Sequence, residues 1–519
     1  MRGLKLAKIF AAAMMLASGG APCELLADRD GPKQSKPERR EYSWRGYMLD
    51  VSRHFFTVAE IKRTLDAMAL VGLNVFHWHL TDNEGWRLQI DRYPELTRAG
   101  AVRATRKGPS RCFYDVAETP DYGPHFYTKA EVREVIAYAR ERGIRVVPEI
   151  EIPGHSTAAV RAYRQLGCRG LPNVGEYCLG SDEAIAMLEG ILDEVCELFP
   201  DEVVHIGGDE CGMSNWPKCE RCLKRVKDEG LADAKSALQG WATAHFARYL
   251  EKKGRRMMGW DEIARFDLPK SAIVMSYRGR SGGIAAAKRG YDVVMTPSGS
   301  CYLDYSQGLA DDPVDYQPFG SVVDILSCGR FDPEQGVSAE VRRHILGGQG
   351  SCWTEIAPTI DVVEWRSWPR MAALAKAMKD GPCRDEEAFL ADMRETVGKL
   401  RAMGMNPAPV GPLLPPHPTL APAPKSVKWR SSFGKLLVKE LTAEVFDWTG
   451  KGNSYYTIPA KVDPTLPKGS FTLVLGWRNS RLTASDQGVA DKALSVLKQI
   501  AIFRSRRGLY EYPACEISY

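Results

Sequence analysis

Between Arg45 and Trp353 the chain repeats one pattern eight times: a short apolar, often β-branched run, in most cases followed by a longer stretch with helical spacing. The runs are Arg45–Val51, Leu73–Leu80, Ile144–Ile152, Glu202–Ile206, Arg256–Trp260, Ala272–Ser276, Asp292–Thr296 and Leu346–Trp353. Helical spacing covers Val58–Val71, with Ile61, Leu65, Met68 and Leu70 on one face, and also Lys129–Arg142 and Asp182–Leu198. Alternating β and α elements over this span argue for a parallel sheet with helices outside it. Eight repeats over about 310 residues fit a (β/α)8 (TIM) barrel. A doubly wound open sheet is the alternative, but no glycine-rich phosphate fingerprint follows the first run, which counts against a dinucleotide-binding version.

The rest of the 519 residues flanks this block. Residues 1–22 carry Arg2, Lys5 and Lys8, then the apolar run Ile9–Ala17, then small residues. That order reads as a secretory signal peptide, the apolar run being shorter than the roughly 18 residues a bilayer span needs. The expected location is therefore periplasmic, secreted or cell-surface. Cys23 raises the question of a lipid anchor, although the preceding Gly-Ala-Pro is a poor small-residue box. Residues 23–42 read as a polar, basic linker, 43–405 as the barrel domain, and 406–426 as a stiff Pro-rich spacer. Beyond it, 427–519 shows short β patterns at Lys435–Val438, Ser454–Ile458 and Phe471–Trp477. They suggest a small β-rich domain, faintly similar to a concanavalin or laminin-G sandwich. Lys+Arg exceed Asp+Glu by 70 − 65 = 5, spread along the chain, so no nucleic acid partner is implied.

In a barrel of this kind, chemistry sits where the strands end. Polar and aromatic residues gather there: His77, His79, Asp82 and Trp86; Glu149, Glu151 and His155; His205, Asp209 and Glu210; Trp260, Asp261 and Glu262; Tyr277; Tyr302 and Asp304; Trp353 and Glu355. One acid after a strand is commonly a helix cap. Carboxylates and rings recurring at successive ends are the lining of a sugar site, with rings against the apolar sugar face and acids accepting from its hydroxyls. Asp209 and Glu210 are neighbours, and neighbours on an extended segment point to opposite sides. Such a pair does not readily bracket one glycosidic bond as acid and nucleophile about 5–5.5 Å apart.

The segments WRGYMLDVSRHFF, HWHLTDNEGWRLQI, VVPEIEIPGHS, VHIGGDE, GW, CYLD and CWTE, in this order over about two-thirds of the chain, resemble the family-20 glycoside hydrolases, the β-N-acetylhexosaminidases. The resemblance implies a retaining, exo-acting enzyme removing terminal β-linked GlcNAc or GalNAc. In that family the substrate's own acetamido oxygen is the nucleophile, forming an oxazolinium ion that water opens. By matched position Glu210 is the acid/base, Asp209 accepts the acetamido N–H, and Tyr302 donates to the acetamido oxygen. Arg45, Asp304 and Glu355 take sugar hydroxyls. Trp260, Tyr277 and Trp353 wall the pocket, and Asp82 with His155 orients the acid/base. His77, His79 and His205 read as satisfied barrel histidines without direct sugar contact. No metal or organic cofactor is expected for the chemistry. The partners are glycans.

The chain also departs from the pattern. Tyr277 stands where a tryptophan is usual, and a second pocket tryptophan expected near 315–325 is missing, with only Tyr316 and Phe319 nearby. A barrel that binds carbohydrate without catalysis, or a family-20 variant releasing a disaccharide or sulfated sugar, stays open as an alternative. Thirteen cysteines suit an oxidising compartment. Cys168 and Cys178 bracket a short loop and could close it as a disulfide, a bridge some relatives carry there. Cys211, Cys219 and Cys222, the last two as CERC, could supply three sulfurs to zinc, with a disulfide or free thiols as the alternatives.

Overall fold

The computed structural model describes residues 41–104, 121–308 and 322–410, together with the backbone of three short strands beyond them. The sheet closes into a barrel of eight parallel strands: β1 Trp44–Asp50, β2 Val75–His79, β3 Arg145–Glu149, β4 Val203–His205, β5 Arg256–Trp260, β6 Ile273–Ser276, β7 Asp292–Met295 and β8 Ile345–Cys352. Each strand pairs with its neighbours in sequence, and β8 closes onto β1 with Trp44 opposite Gly347 and Leu49 opposite Cys352. The eight-strand (β/α)8 reading holds, and the open sheet is excluded by this closure.

Helices return the chain between strands, and their starts are written locally. Thr57 accepts from the Glu60 amide while the Glu60 carboxylate accepts from the Thr57 amide, opening helix Val58–Leu70. The same reciprocal cap, Thr128 with Glu131, opens Lys129–Arg140. Each satisfies amides that the first helical turn leaves without partners. Helix Asp182–Leu198 buries Ile185, Leu188, Ile191, Leu192 and Val195, the stripe that its period requires.

The barrel interior is apolar at the N-terminal end of the strands and polar above. Trp44, Val75, Val147, Val203, Met258, Ile273, Met275 and Val294 pack as one cluster. Above them lie fully buried His77, His79, Glu149, His205 and Gln349. A buried charge without a partner is expensive, so such a layer survives only if its members answer one another.

One boundary differs from expectation, and others lie outside the described residues. Residues 406–410, assigned to the spacer, begin packed against the barrel: the Asn406 amide donates to Glu364 Oε2 (2.7 Å), the Ala408 amide to the Trp368 carbonyl (2.9 Å), and Ala408 is buried. The signal segment, Cys23 and most of both linkers fall outside the described residues, as do Lys435–Val438, Ser454–Ile458, Tyr316 and Phe319. Phe471–Leu475, inside a predicted β segment, lies between Ser480–Ala484 and Glu516–Ser518 in an antiparallel sheet. Among the described residues no helix is long and apolar enough to cross a membrane.

One buried arginine fixes the loop after β7. Arg370 donates to the carbonyls of Tyr305 (2.8 Å), Val323 (2.6 Å), Leu303 (2.5 Å) and Arg366 (2.6 Å). Arg370→Met keeps the volume and strands these acceptors, each worth roughly 1–3 kcal/mol when left buried and unpaired. Urea unfolding is expected to show a loss of about 3 kcal/mol or more. A loss below about 1 kcal/mol would mean that the loop is held by other contacts.

Candidate active site

The site grows from the end of β1. Asp50 Oδ1 accepts from the amides of Ser52 (2.8 Å) and Arg53 (3.1 Å), and Oδ2 accepts from the Thr354 amide (3.1 Å). This turn aims Arg53 into the barrel mouth. Its guanidinium meets Asp82 (2.8 Å), Glu84 (3.1 Å), Asp50 (3.3 Å) and Glu355 (3.8 Å), and lies 5.1 Å from the centre of a Trp353 ring. The sequence reading named Arg45 for the sugar hydroxyls, and the structure corrects it. Arg45 lies near the start of β1, at the opposite end of the barrel, where it donates to the carbonyls of Gly72 (2.9 Å) and Tyr42 (2.6 Å). The arginine of this segment that reaches the mouth is Arg53.

Beneath Arg53 runs a chain of alternating charges. Glu149 is the hub, with His79 Nδ1 at 2.5 Å, His77 Nε2 at 3.0 Å, His205 Nδ1 at 2.9 Å, and the Trp260 indole N–H donating at 2.8 Å. His79 Nε2 lies 3.0 Å from Asp82 Oδ2, and Asp82 Oδ1 lies 2.9 Å from His155 Nδ1. His155 Nε2 then faces Asp209 at 3.5 Å and Glu210 at 3.8 Å. Burial works against charge on both His79 and His155, but Glu149 and Asp82 outweigh it for His79, and Asp82 and Asp209 for His155. Both histidines are pushed up to about 10 and carry a proton at neutral pH. Asp82 is held well below the carboxylate range: burial opposes ionisation, and the Arg53 and His155 charges overcome it.

Asp209 and Glu210 diverge, though not by strand pleating as the sequence suggested. After β4 the chain turns through Gly207 (φ 66°) and Gly208 (φ 91°), and Glu210 itself is left-handed (φ 42°). A side chain at Gly207 would collide with the Glu151 carboxylate directly below. His155 (φ 46°) and Met213 (φ 51°) share this conformation. Three left-handed non-glycine residues, at roughly 1–3 kcal/mol each, are a concentration of strain typical of functional loops. The turn leaves Asp209 buried and the Glu210 side chain 66% exposed. Among the described residues Asp209 Oδ1 is buried without a hydrogen-bond partner. Burial raises the Asp209 carboxyl to about 6, with His155 pulling it down and Glu149 and Glu210 adding to the rise.

Four rings stand beside these acids. Trp260 meets Tyr277 edge-on (5.5 Å) and Trp353 tilted (5.8 Å), Tyr277 stacks parallel to Tyr302 (6.1 Å), and Tyr302 meets Trp353 (6.2 Å). The structure thus brings together Trp260, Tyr277, Tyr302 and Trp353. Asp304 and Glu355 lie next to this box, raised to about 8 and about 7, in each case chiefly by burial. Glu262, just past the end of β5, has no role implied by the family resemblance. Tyr277 donates to it (2.8 Å), and burial and Asp209 raise it to about 7. Such a clustering of displaced carboxyls marks a functional site.

The cysteines need two corrections. Cys168 and Cys178 are both free rather than bridged. Cys211 lies against Gly154, while the sulfurs that gather are those of Cys168, Cys178, Cys219 and Cys222. Two further groups, His77–Glu149–His205 and His79–Asp82–Glu151, have metal-ligating atoms close together. In the first, His77 and His205 both face Glu149; in the second, His79 faces Asp82, whereas both Glu151 oxygens are buried with no hydrogen-bond partner among the described residues.

The sequence pattern of the glycosyl hydrolase family 20 catalytic domain matches residues 42–381. A β-hexosaminidase of Porphyromonas gingivalis is 39% identical over 364 residues, covering 68% of this chain and 45% of that protein. One of Vibrio furnissii is 36% identical over 359 residues, covering 64% and 56%. The chain thus spans about half the length of these curated relatives. Among solved structures, a GH20 exo β-N-acetylglucosaminidase from Vibrio harveyi, in complex with N-acetylglucosamine, superposes with a TM-score of 0.65 at 31% identity, over 71% of this chain and 59% of that one. By the extent of the family match and the closed eight-strand barrel that carries it, this chain belongs to glycosyl hydrolase family 20.

Proposed function

We propose that this chain is an exo-acting, retaining β-N-acetylhexosaminidase that removes terminal β-linked GlcNAc or GalNAc from glycans. The observation that carries the reading is the contrast between two adjacent acids: Asp209, buried with one oxygen unpartnered among the described residues, and Glu210, projecting from the same turn. Asp209 Oδ1 accepts the acetamido N–H, which orients the acetamido oxygen toward the anomeric carbon. That oxygen attacks as Glu210 gives its proton to the departing glycosidic oxygen, leaving an oxazolinium ion. The buried Asp209 carboxylate stabilises the positive charge as it develops. Glu210 then takes a proton from water, which opens the ring and restores the configuration. Tyr302 donates to the acetamido oxygen, and Trp260, Tyr277 and Trp353 enclose the acetamido group and the sugar face. Arg53, Asp304 and Glu355 bind the outer hydroxyls. Residues 1–22 remain our proposed export signal, with action outside the cytoplasm.

The direct test compares aryl β-N-acetylglucosaminide with aryl β-glucoside. The former should turn over at least about 10³-fold faster, because only it carries the internal nucleophile. Comparable rates would sink the mechanism, and no turnover of either would favour a barrel that only binds. Glu210→Gln should lose most activity on substrates with poor leaving groups while still binding product.

The Asp209 carboxyl also couples activity to stability. Raised from an ordinary 3.8 to about 6, it binds its proton more tightly folded than unfolded. Stability therefore falls as pH rises between these values, and the full cost, about 3 kcal/mol at most, stands above pH 6. Asp209→Asn should gain thermal stability at about pH 7.5, change little at about pH 4, and lose most of its turnover. In the wild type, kcat/KM should decline below about pH 6 as Asp209 takes up its proton. An Asp209→Asn protein less stable than wild type at about pH 7.5 would contradict this assignment.

The arginine correction is separately measurable. Arg53→Ala should lower kcat/KM by about tenfold or more, the worth of a charged hydrogen bond. Arg45→Ala should leave it within about twofold, and the reverse ranking would restore Arg45.

A further inference from the structure

We propose that Cys168, Cys178, Cys219 and Cys222 form a tetrahedral tetrathiolate site for one zinc ion, tying the loop after β3 to the loop after β4. Cys168 and Cys178 precede helix Asp182–Leu198, and Cys219 and Cys222 flank the start of helix Glu220–Asp228. The two segments come from different strands, and all four side chains are buried. Their sulfurs lie 3.9 Å (Cys168–Cys222), 3.7 Å (Cys178–Cys222) and 3.8 Å (Cys178–Cys219) apart, and all four fall within 4.8 Å of one another. Four Zn–S bonds of about 2.3 Å at tetrahedral angles place their sulfurs about 3.8 Å apart.

The arrangement is fourfold, not pairwise. Cys178 stands almost equally far from Cys219 and Cys222, and Cys222 almost equally far from Cys168 and Cys178. Two disulfides would draw two pairs together at about 2 Å and separate those pairs from each other. Four soft thiolates in tetrahedral array select zinc among common divalent ions. Binding releases the thiol protons to solvent and leaves a dianionic ZnS4 unit. The backbone N–H groups at the start of helix Glu220–Asp228 and the Arg221 guanidinium, which donates to Ser181 Oγ (3.0 Å) and the Gly167 carbonyl (3.0 Å), lie beside it. Gly180 is packed so tightly on the Arg221–Cys222 backbone that a side chain there would collide with it.

The site has a mechanical consequence for the acids. Between the two β3-loop cysteines, Glu176 accepts from the amides of Ser214 (3.1 Å) and Asn215 (2.7 Å), and the Tyr177 carbonyl accepts from the Trp216 indole (2.8 Å). Ser214 follows Glu210 by four residues. A metal locking the β3 loop to Cys219 and Cys222 therefore braces the turn that presents Glu210. The metal assignment stands apart from the proposed activity, because it is read without substrate.

The test is elemental analysis of the full-length protein, purified without chelator, with a thiol count and intact mass under non-reducing conditions. About one zinc per chain is expected, with these thiols alkylated only after chelation or denaturation. Cys219→Ser and Cys222→Ser should each lower bound zinc about tenfold, while Cys211→Ser keeps it. If those variants do not fold, replacing zinc by cobalt in the wild type decides: tetrahedral thiolate coordination gives sulfur-to-cobalt charge-transfer and visible d–d bands. Metal-free protein overturns the proposal, whether it holds four free thiols or two disulfides, and so does iron in place of zinc or cobalt without thiolate bands.

Discussion

The arrangement at the barrel mouth depends on Asp82. Its two oxygens are shared between three cations, Arg53, His79 and His155, on three different structural segments. Each cation in turn faces further acids: Glu84 and Glu355 for Arg53, Glu149 for His79, Asp209 and Glu210 for His155. No member could be buried alone, since an uncompensated charge in such a place costs several kcal/mol. Collectively they are satisfied, and the geometry of each is dictated by the others. That shared constraint lets Asp209 remain buried with one oxygen that has no hydrogen-bond partner among the described residues.

The backbone contributes what the charges cannot. A strand delivers its last residue to the mouth but alternates side chains between the two faces. Under the proposed function two adjacent acids serve one ligand, which needs a departure from that alternation. The Gly207–Gly208 turn and the left-handed Glu210 provide it, and His155 is left-handed in the facing loop. Gly154 packs on the Asp209 carbonyl, so the two strained segments support each other. Strain of this kind persists only when the surroundings over-determine it. Here the Asp82–His155 pair on one side and the Glu176 contacts on the other do so.

Local periodicity made the scaffold legible. Strand Arg256–Trp260 and helix Asp182–Leu198 have the bounds their sequence patterns suggested, and the other strands differ only at their ends. The site was legible where strand order alone places a residue, as for the four rings. It was misread where direction along a strand decides. WRGYMLDVSRHFF holds Arg45 and Arg53, and only the rule that chemistry sits at the C-terminal ends separates them. The cysteines failed differently. Closeness in sequence suggested a local bridge, whereas the contacts that form span 41 to 54 residues between loops. The divergence of Asp209 and Glu210 was expected from a pleat and is produced by a turn, because paired glycines permit dihedrals that alternation does not describe.

Tyr277, where the family resemblance leads to tryptophan, keeps the ring cluster closed through Trp260 and Tyr302. An indole brings area and one N–H donor, whereas a phenol brings less area and a hydroxyl that must be matched when half-buried. The match is Glu262, itself raised to about 7 by burial and by Asp209. With Glu355 at about 7 and Asp304 at about 8, three carboxyls around the box lie near the midpoint of their titration at neutral pH. A carboxylate only accepts hydrogen bonds, but a carboxylic acid also donates one. Sugar hydroxyls do both. On the proposed sugar-binding reading, carboxyls poised between the two forms can settle their protons to suit the hydroxyl pattern presented, while the fixed charges of Asp82, Arg53 and His155 hold Asp209 and Glu210 in place.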